Sequence, residues 1–353
     1  MTSLALLWWS SLALCVAALG WMAGLIVARL FRERRDRSRG ADQGRVRGYF
    51  LEIMAGDAEA ELRLKPYSRR ARLMAEALLE MVGLVRGLER ERLIDCLVRL
   101  GVAERLRARL SRGSDAGRIA AAEALSGFPD VATVDALRDA LARSRSGGFR
   151  VAVLTALLDM DAAPPLNSLL AEITAQGLQD SLLYAPVVAR AAAAAPLEAL
   201  DLFILGKVTV DARAMLADAL GASGDYRAVE PLMKAAAAPE LELRIASVRA
   251  LGLLGHPAAE QAVTNAFSDA AWEVRAAACE AAGRIGLVQA APLLVEALAD
   301  TAWWVRFRSG EALGAMGDKG VASLRLAATL DQDVVHRAAS LALAERGLAE
   351  VAS

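Results

Sequence analysis

From about residue 90 onward, apolar residues recur at spacings of three and four, the period of helices that bury one side. The same arrangement then returns every 31 or 32 residues. Aligned in register, Arg118, Arg150, Leu182, Arg213, Arg244, Arg275, Arg306 and Arg337 lie 32, 32, 31, 31, 31, 31 and 31 residues apart. Six residues after this position stand Ala124, Ala156, Val188, Ala219, Ala250, Ala281, Ala312 and Leu343. Eight residues after it, Gly221, Gly252, Gly283 and Gly314 align, followed three residues later by Gly224, Gly255, Gly286 and Gly317. An earlier stretch, "RLIDCLVRLG" from Arg92, fits the same pattern only 26 residues upstream of Arg118.

Each unit reads as two short helices. The first, as in "AAPLLVEALAD", carries Pro292 in its first turn, where a missing N–H costs nothing. The second, as in "WEVRAAACEAAGRIG", ends in glycines able to adopt the left-handed conformation that terminates helices. Small residues at the sixth position let neighbouring units approach closely. One helix pair cannot bury its own apolar side, but a stack of them can. The pattern predicts an all-α fold, an α-solenoid of about eight to nine two-helix repeats over residues 91–350, preceded by one transmembrane helix.

That helix is read from Leu4 to Ala28, 25 residues without a charge, against the roughly 20 needed to cross the hydrocarbon layer. No Lys or Arg precedes the run, as a secretory signal would require, and Leu14 before Cys15 is a poor lipoprotein site. Residues 1–30 are therefore assigned to a retained span and 31–48 to a basic juxtamembrane segment. Arg29, Arg32, Arg34, Arg35, Arg37, Arg39, Arg45 and Arg47 are opposed there only by Glu33, Asp36 and Asp42. Positive flanks stay cytoplasmic, which predicts a single-pass protein of a bacterial inner membrane, N-terminus outside and solenoid in the cytoplasm. A periplasmic solenoid, after cleavage or inverted insertion, is the alternative. Arg32–Arg47 either draw anionic lipid headgroups or act as a topology signal alone. Gly20, Gly24 and Ala28 place small residues on one face of the span, suited to helix–helix packing or a product of chance spacing. Residues 49–90 read as a helical cap or linker.

The Asp…Val-Arg…Ala-Leu-Gly…Gly pattern of these units resembles the HEAT-like repeats of the phycobilisome-lyase type. The resemblance covers roughly residues 90–347. It is strongest from Arg213 and degraded over 165–205, where Pro186 and Pro196 interrupt the pattern. It implies that Asp269, Asp300 and Asp331, each six residues before Arg275, Arg306 and Arg337, form a ladder of charges tying neighbouring units together. It also implies that the second helices line a concave, partner-binding face.

The balance of charges excludes other classes. With 41 basic and 42 acidic residues the net charge is −1, without the basic excess of a duplex nucleic-acid binder. Apolar residues make up 56% and aromatics only 5%, so the apolar content is largely Ala and Leu, as close-packed helices require. Three cysteines and two histidines provide neither a disulfide framework nor a metal cluster. Cys96 and Cys279 read as buried small hydrophobes. His256 reads as a turn residue and His336 as the neighbour of a ladder Arg. No phosphate loop, nucleophile elbow or Cys-x-x-Cys is present, and no cofactor or metal is expected. Among repeats of this kind, deoxyhypusine hydroxylases carry His-Glu iron ligands that are missing here, and no residue matches a bilin lyase function.

Two consecutive units, "DAAWEVRAAACEAAGRIG" from Asp269 and "DTAWWVRFRSGEALGAMG" from Asp300, share a frame and differ at a few places. Trp272 and Trp303, aligned with Leu241 and Val334, read as apolar packing between units. Phe307, aligned with Ile245, Ala276 and Ala338, reads as core. Trp304 replaces Glu242 and Glu273 and is expected to face solvent. Trp304, Arg308 and Glu311 fall on one helical stripe, beside Glu280 and Arg284 of the preceding unit. An exposed Trp beside an Arg has the composition of a binding hot spot; the alternative is that Arg308 merely stacks on Trp304. The chain is thus expected to be a membrane-anchored scaffold or regulatory subunit of a cytoplasmic-face complex, binding a membrane protein such as an envelope polysaccharide synthase or glycosyltransferase. The competing expectation is a chromophore-lyase-like enzyme.

Overall fold

The computed structural model describes residues 40–82, 85–175, 177 and 183–348, together with Trp9, Trp21, Met22 and Arg29. All regular structure among them is helical. The span read over residues 1–30, with Gly20, Gly24 and Ala28, lies outside the described residues apart from those four positions, and so do Arg32–Arg39. Among the described residues no helix is long and apolar enough to cross a membrane. The two described arginines of the basic segment sit in helix α1 (residues 40–55) and are held by carboxylates, Arg45 by Asp42 and Arg47 by Glu80.

The described chain divides into two compact units, Met1–Met160 and Asp161–Ser353. In the first, α1 is followed by α2 (Ala58–Leu64), α3 (Ala71–Val82), α4 (Leu88–Arg99), α5 (Val102–Arg109), α6 (Asp115–Leu125), α7 (Val131–Arg143) and α8 (Gly147–Asp159). Polar caps start several of these: the side chains of Asp57, Ser114 and Asp130 accept the N–H groups of Glu59, Gly117 and Thr133, satisfying donors that a helix start leaves open. Helix α6 packs between α3 and α8, burying Leu78, Ala121, Leu125, Phe149 and Val153. The aligned arginines tie each turn to its helix. Arg118 donates to the Leu110 carbonyl at 2.9 Å and lies 4.0 Å from the Phe149 ring centroid. Arg150, buried, donates to the Leu141 and Ser144 carbonyls at 2.8 and 2.9 Å.

The division follows α8. Asp161 adopts a left-handed conformation (φ 51°), uncommon for a residue with a side chain, and Pro164 and Pro165 follow. The second unit contains α9 (Leu166–Ala175), α10 (Ala185–Ala194), α11 (Pro196–Leu205), α12 (Val210–Ser223), α13 (Val229–Ala235), α14 (Leu241–Leu254), α15 (Glu260–Ala266), α16 (Trp272–Ile285), α17 (Ala291–Ala297), α18 (Trp303–Ala315), α19 (Gly317–Ala327) and α20 (Asp333–Glu345). Pro186 and Pro196, read as interruptions, occupy first-turn positions of α10 and α11 and begin those helices.

Within this unit α12, α14, α16, α18 and α20 pack successively on one another, with α13, α15, α17 and α19 against them. The contact between consecutive second helices is set by two small residues. A Cβ on Gly221, Gly252 or Gly283 would lie 2.6, 2.7 or 2.8 Å from the Cα of Ala250, Ala281 or Ala312. Three residues on, Gly224, Gly255 and Gly286 end their helices with φ of 70, 66 and 77°. The last unit departs from this frame: a single-turn 3-10 helix precedes α13, α15 and α17, whereas α19 follows α18 directly.

Candidate interaction face on the second helices

The ladder is made by each arginine reaching forward to the aspartate of the next unit. Arg244 donates through Nε to Asp269 Oδ2 at 2.8 Å and through Nη2 to Oδ1 at 3.1 Å. Arg275 repeats this on Asp300 at 2.7 and 2.9 Å. The third nitrogen, Nη1, caps the arginine's own turn: Arg275 Nη1 lies 2.9 and 3.1 Å from the Asp269 and Ala270 carbonyls. Each aspartate also accepts the N–H two residues ahead, Ala271 or Ala302, at 2.8 Å. One carboxylate therefore joins two repeats and closes the turn that leads into a helix.

These contacts fix the protonation of both acids. Burial raises the Asp269 pKa, but the Arg244 hydrogen bonds, the Ala271 N–H and the charges of Arg244 and Arg275 outweigh it and hold the carboxyl below its ordinary range. For Asp300 the Arg275 hydrogen bonds lead, against desolvation, and the direction is the same. A carboxyl whose pKa is lower folded than unfolded stabilises fully above the unfolded value, about 3.9. That contribution is lost as pH falls through the folded value. Between pH 7 and about pH 5 that contribution is constant, so these groups should add no pH dependence to the denaturation midpoints there. Asp269→Asn/Asp300→Asn should flatten the fall in midpoint at lower pH; an unchanged acid limb would contradict the assignment.

The third rung does not form. Arg306 repeats the Nη1 half of the pattern, 2.8 and 3.0 Å from the Asp300 and Thr301 carbonyls. Its Nε–Nη2 edge has no acceptor among the described residues. Asp331 is exposed and accepts no backbone N–H, and Arg337 is exposed and unpaired as well. The Ala328 carbonyl of that turn is met by His336 Nδ1 instead.

Four side chains aligned at the starts of α14, α16, α18 and α20 are exposed: Leu241 at 37%, Trp272 at 40%, Trp303 at 49% and Val334 at 42%. They do not pack away between units, because a first-turn residue at this position projects clear of the neighbouring helix. Trp303 stacks on Phe307 with centroids 5.1 Å apart and planes at 14°, and Trp304 meets Trp303 edge-on at 4.7 Å. Phe307 is accordingly half-buried rather than core. Farther along the second helices runs a charged row. Arg249 pairs with Asp218 at 2.7 Å; Arg284 pairs with Glu280 at 2.7 Å; Arg308 pairs with Glu311 at 2.8 Å and Glu280 at 3.7 Å.

Trp304, Arg308 and Glu311 stand at i, i+4 and i+7 along α18, and their side chains take different partners. Glu280, Arg284, Arg308 and Glu311 satisfy one another across α16 and α18, while the ring contacts of Trp304 are with Trp303 and Phe307. Arg308 turns to carboxylates rather than to the Trp304 ring. What sequence comparison passed over is a cleft of about 230 Å³ between α18 and α20, lined by Trp303, Arg306, Phe307, Val334, Arg337 and Leu341 among others. A signal for it exists in the chain. The Asp-x-Ala of the two formed rungs, Asp269–Ala271 and Asp300–Ala302, becomes Asp331-Gln332-Asp333.

No chemistry of bond-making emerges elsewhere. Cys96 and Cys279 are buried, and desolvation raises their thiols to about 11 and about 12, so neither supplies a thiolate near neutral pH. His256 caps a turn, its Nδ1 accepting the Ala258 N–H at 3.2 Å. Among the described residues no three His, Cys, Asp or Glu gather as a metal site.

Stacked helix pairs joined by a one-way Arg–Asp ladder, with an exposed row on one set of helices, define a helical-repeat protein. Residues 260–344 match the model of HEAT repeats, so the repeats over that stretch are HEAT-like. No curated protein matches the chain. Among solved structures it is similar to Kap121p at 13% identity, a TM-score of 0.41 and coverage of 87% of this chain. It spans 42% of the Kap121p chain. Human deoxyhypusine hydroxylase, solved with glycerol, is similar at 20% identity and a TM-score of 0.30 over 78% of this chain and 96% of that one. The CpcE–CpcF complex of the Nostoc sp. PCC7120 phycocyanin lyase is similar at 19% identity and 0.29, over 68% and 75%.

Proposed function

We propose that this chain is a membrane-anchored scaffold or regulatory subunit that holds a protein partner at the cytoplasmic face of a bacterial inner membrane. The observation that carries the reading is the exposed row Leu241, Trp272, Trp303 and Val334 on successive second helices. Four aligned apolar side chains left in water by a fold able to bury them are the kind of surface that a protein partner covers. Anchoring rests on the uncharged run Leu4–Ala28, and orientation on the arginines that follow it. The arginines before residue 40 would also draw the segment to anionic headgroups. An envelope polysaccharide synthase or glycosyltransferase is the kind of membrane partner such a subunit would serve.

Two measurements test this. A reporter fused after Ser353 should read out in the cytoplasm; a periplasmic signal ends the topology. Brief crosslinking in the native host, followed by purification in mild detergent, should yield one specific membrane protein. Trp272→Ala/Trp303→Ala should release it. A partner kept in full by that variant would move the interface off this row, and no partner at all would end the scaffold reading.

A further inference from the structure

The open end of the ladder is a carboxylate site without its carboxylate. On Arg244 and Arg275 the Nε–Nη2 edge takes both oxygens of an aspartate from the next unit. Arg306 is anchored through Nη1 as its predecessors are, which holds the guanidinium in the corresponding pose with the same edge free. Arg306 lines the cleft beside the Trp303–Phe307 stack, and Arg337, itself unpaired among the described residues, lies in the same lining. Glu345 is the one acid there, so the lining carries two positive charges against one negative.

We propose that this cleft binds an acidic segment of a protein partner. An Asp or Glu carboxylate of the partner accepts from Nε and Nη2 of Arg306, completing the third rung in trans. A neighbouring apolar or aromatic side chain of the partner covers Trp303 and Val334. The inference rests on the scaffold reading and names the chemistry of its partner. Charge complementarity selects the carboxylate, since paired N–H donors of a guanidinium match its two oxygens. The aromatic shelf selects a peptide in which that carboxylate adjoins an apolar residue rather than a run of acids.

The test is selection of a random dodecapeptide display library on the full-length protein in mild detergent. Enriched peptides should carry Asp or Glu next to Leu or an aromatic residue. Replacing that Asp by Asn, or Glu by Gln, in a synthetic copy should weaken binding about tenfold or more, the loss expected for a charge-assisted bidentate contact. Arg306→Ala should weaken it equally. Because Arg306→Ala also removes two bonds to backbone carbonyls, Arg337→Glu serves as the second variant: Arg337 makes no hydrogen bond among the described residues, and reversing its charge should weaken acidic peptides by a similar factor. Arg308→Ala, outside the cleft lining, should leave binding unchanged.

Enrichment of neutral or basic peptides, or acidic ones indifferent to both Arg306→Ala and Arg337→Glu, would overturn the proposal. If selection yields no binder while crosslinking still captures a partner released by Trp272→Ala/Trp303→Ala, the acidic-segment inference fails and the scaffold reading stands. If both come back empty, both fail.

Discussion

Asp300→Ala is expected to destabilise the second unit by about 3 kcal/mol. Two charge-assisted hydrogen bonds from Arg275 contribute about 1.5–3 kcal/mol together. The bond to the Ala302 N–H adds about 1 kcal/mol, the net worth of an ordinary hydrogen bond. Arg275 keeps its two carbonyl acceptors, so the charge left behind is not fully orphaned, and the loss stays short of the 3–5 kcal/mol or so of a broken buried pair. Asp331→Ala, in the same position one unit later, removes no bond and should change stability by no more than about 0.5 kcal/mol. Urea denaturation of both variants, followed by tryptophan fluorescence and by circular dichroism, compares them directly. Equal effects at the two positions would mean that the third rung forms in solution.

The second large effect is steric. Gly283→Val should destabilise by about 2–3 kcal/mol, because the added Cβ would lie 2.8 Å from the Cα and 2.9 Å from the Cβ of Ala312. Backbone and a methyl group with no freedom of rotation cannot yield as a flexible side chain does, so α16 and α18 must separate. Overpacking of this kind costs about 1–3 kcal/mol, and valine regains only a few tenths in helix propensity over glycine. Gly44→Ala provides the opposite sign. Gly44 lies in helix α1 with nothing within 4 Å of its missing Cβ, so alanine should stabilise by about 0.5–1 kcal/mol. Thermal denaturation of the two variants decides whether space or propensity governs these glycines.

How much of this could be read from residues alone differs between the parts. Ala250, Ala281 and Ala312 against Gly221, Gly252 and Gly283 were legible, because a repeated backbone crossing demands the same small residue at the same place every time. The division at Met160–Asp161 was not: the arginine register runs through it with a spacing of 32, so nothing in the repeat period marks the boundary. Phe307 was misread because its neighbours in register are Ile245, Ala276 and Ala338. The space that accepts those side chains does not accept a phenyl ring, which turns out onto Trp303 instead. Trp272 and Trp303 were misread for a related reason, since an apolar residue repeated in register is consistent with burial between units or with a row on the open face. The free edge of Arg306 was hidden by Asp331, which occupies the correct register position and lacks only the alanine two residues on whose N–H donates to each of its two predecessors.

Every rung of the ladder points the same way, from the guanidinium of one unit to the carboxylate of the next, so the array has a head and a tail. At its start Ala238 stands where Asp269 and Asp300 stand later, leaving no carboxylate without a donor. Arg213 there donates to the Phe203 carbonyl instead of a next-unit carboxylate, and at the other end Arg306 keeps its Nε–Nη2 edge open among the described residues. Because each unit couples only to its neighbours, duplicating the 31 residues from Asp269 to Ala299 would add one rung and push Arg306 one step farther along the stack. The terminal chemistry would be conserved while its distance from the N-terminus grew. Array length and binding specificity are in this sense independently adjustable: one set by the number of closed rungs, the other by the single rung that stays open.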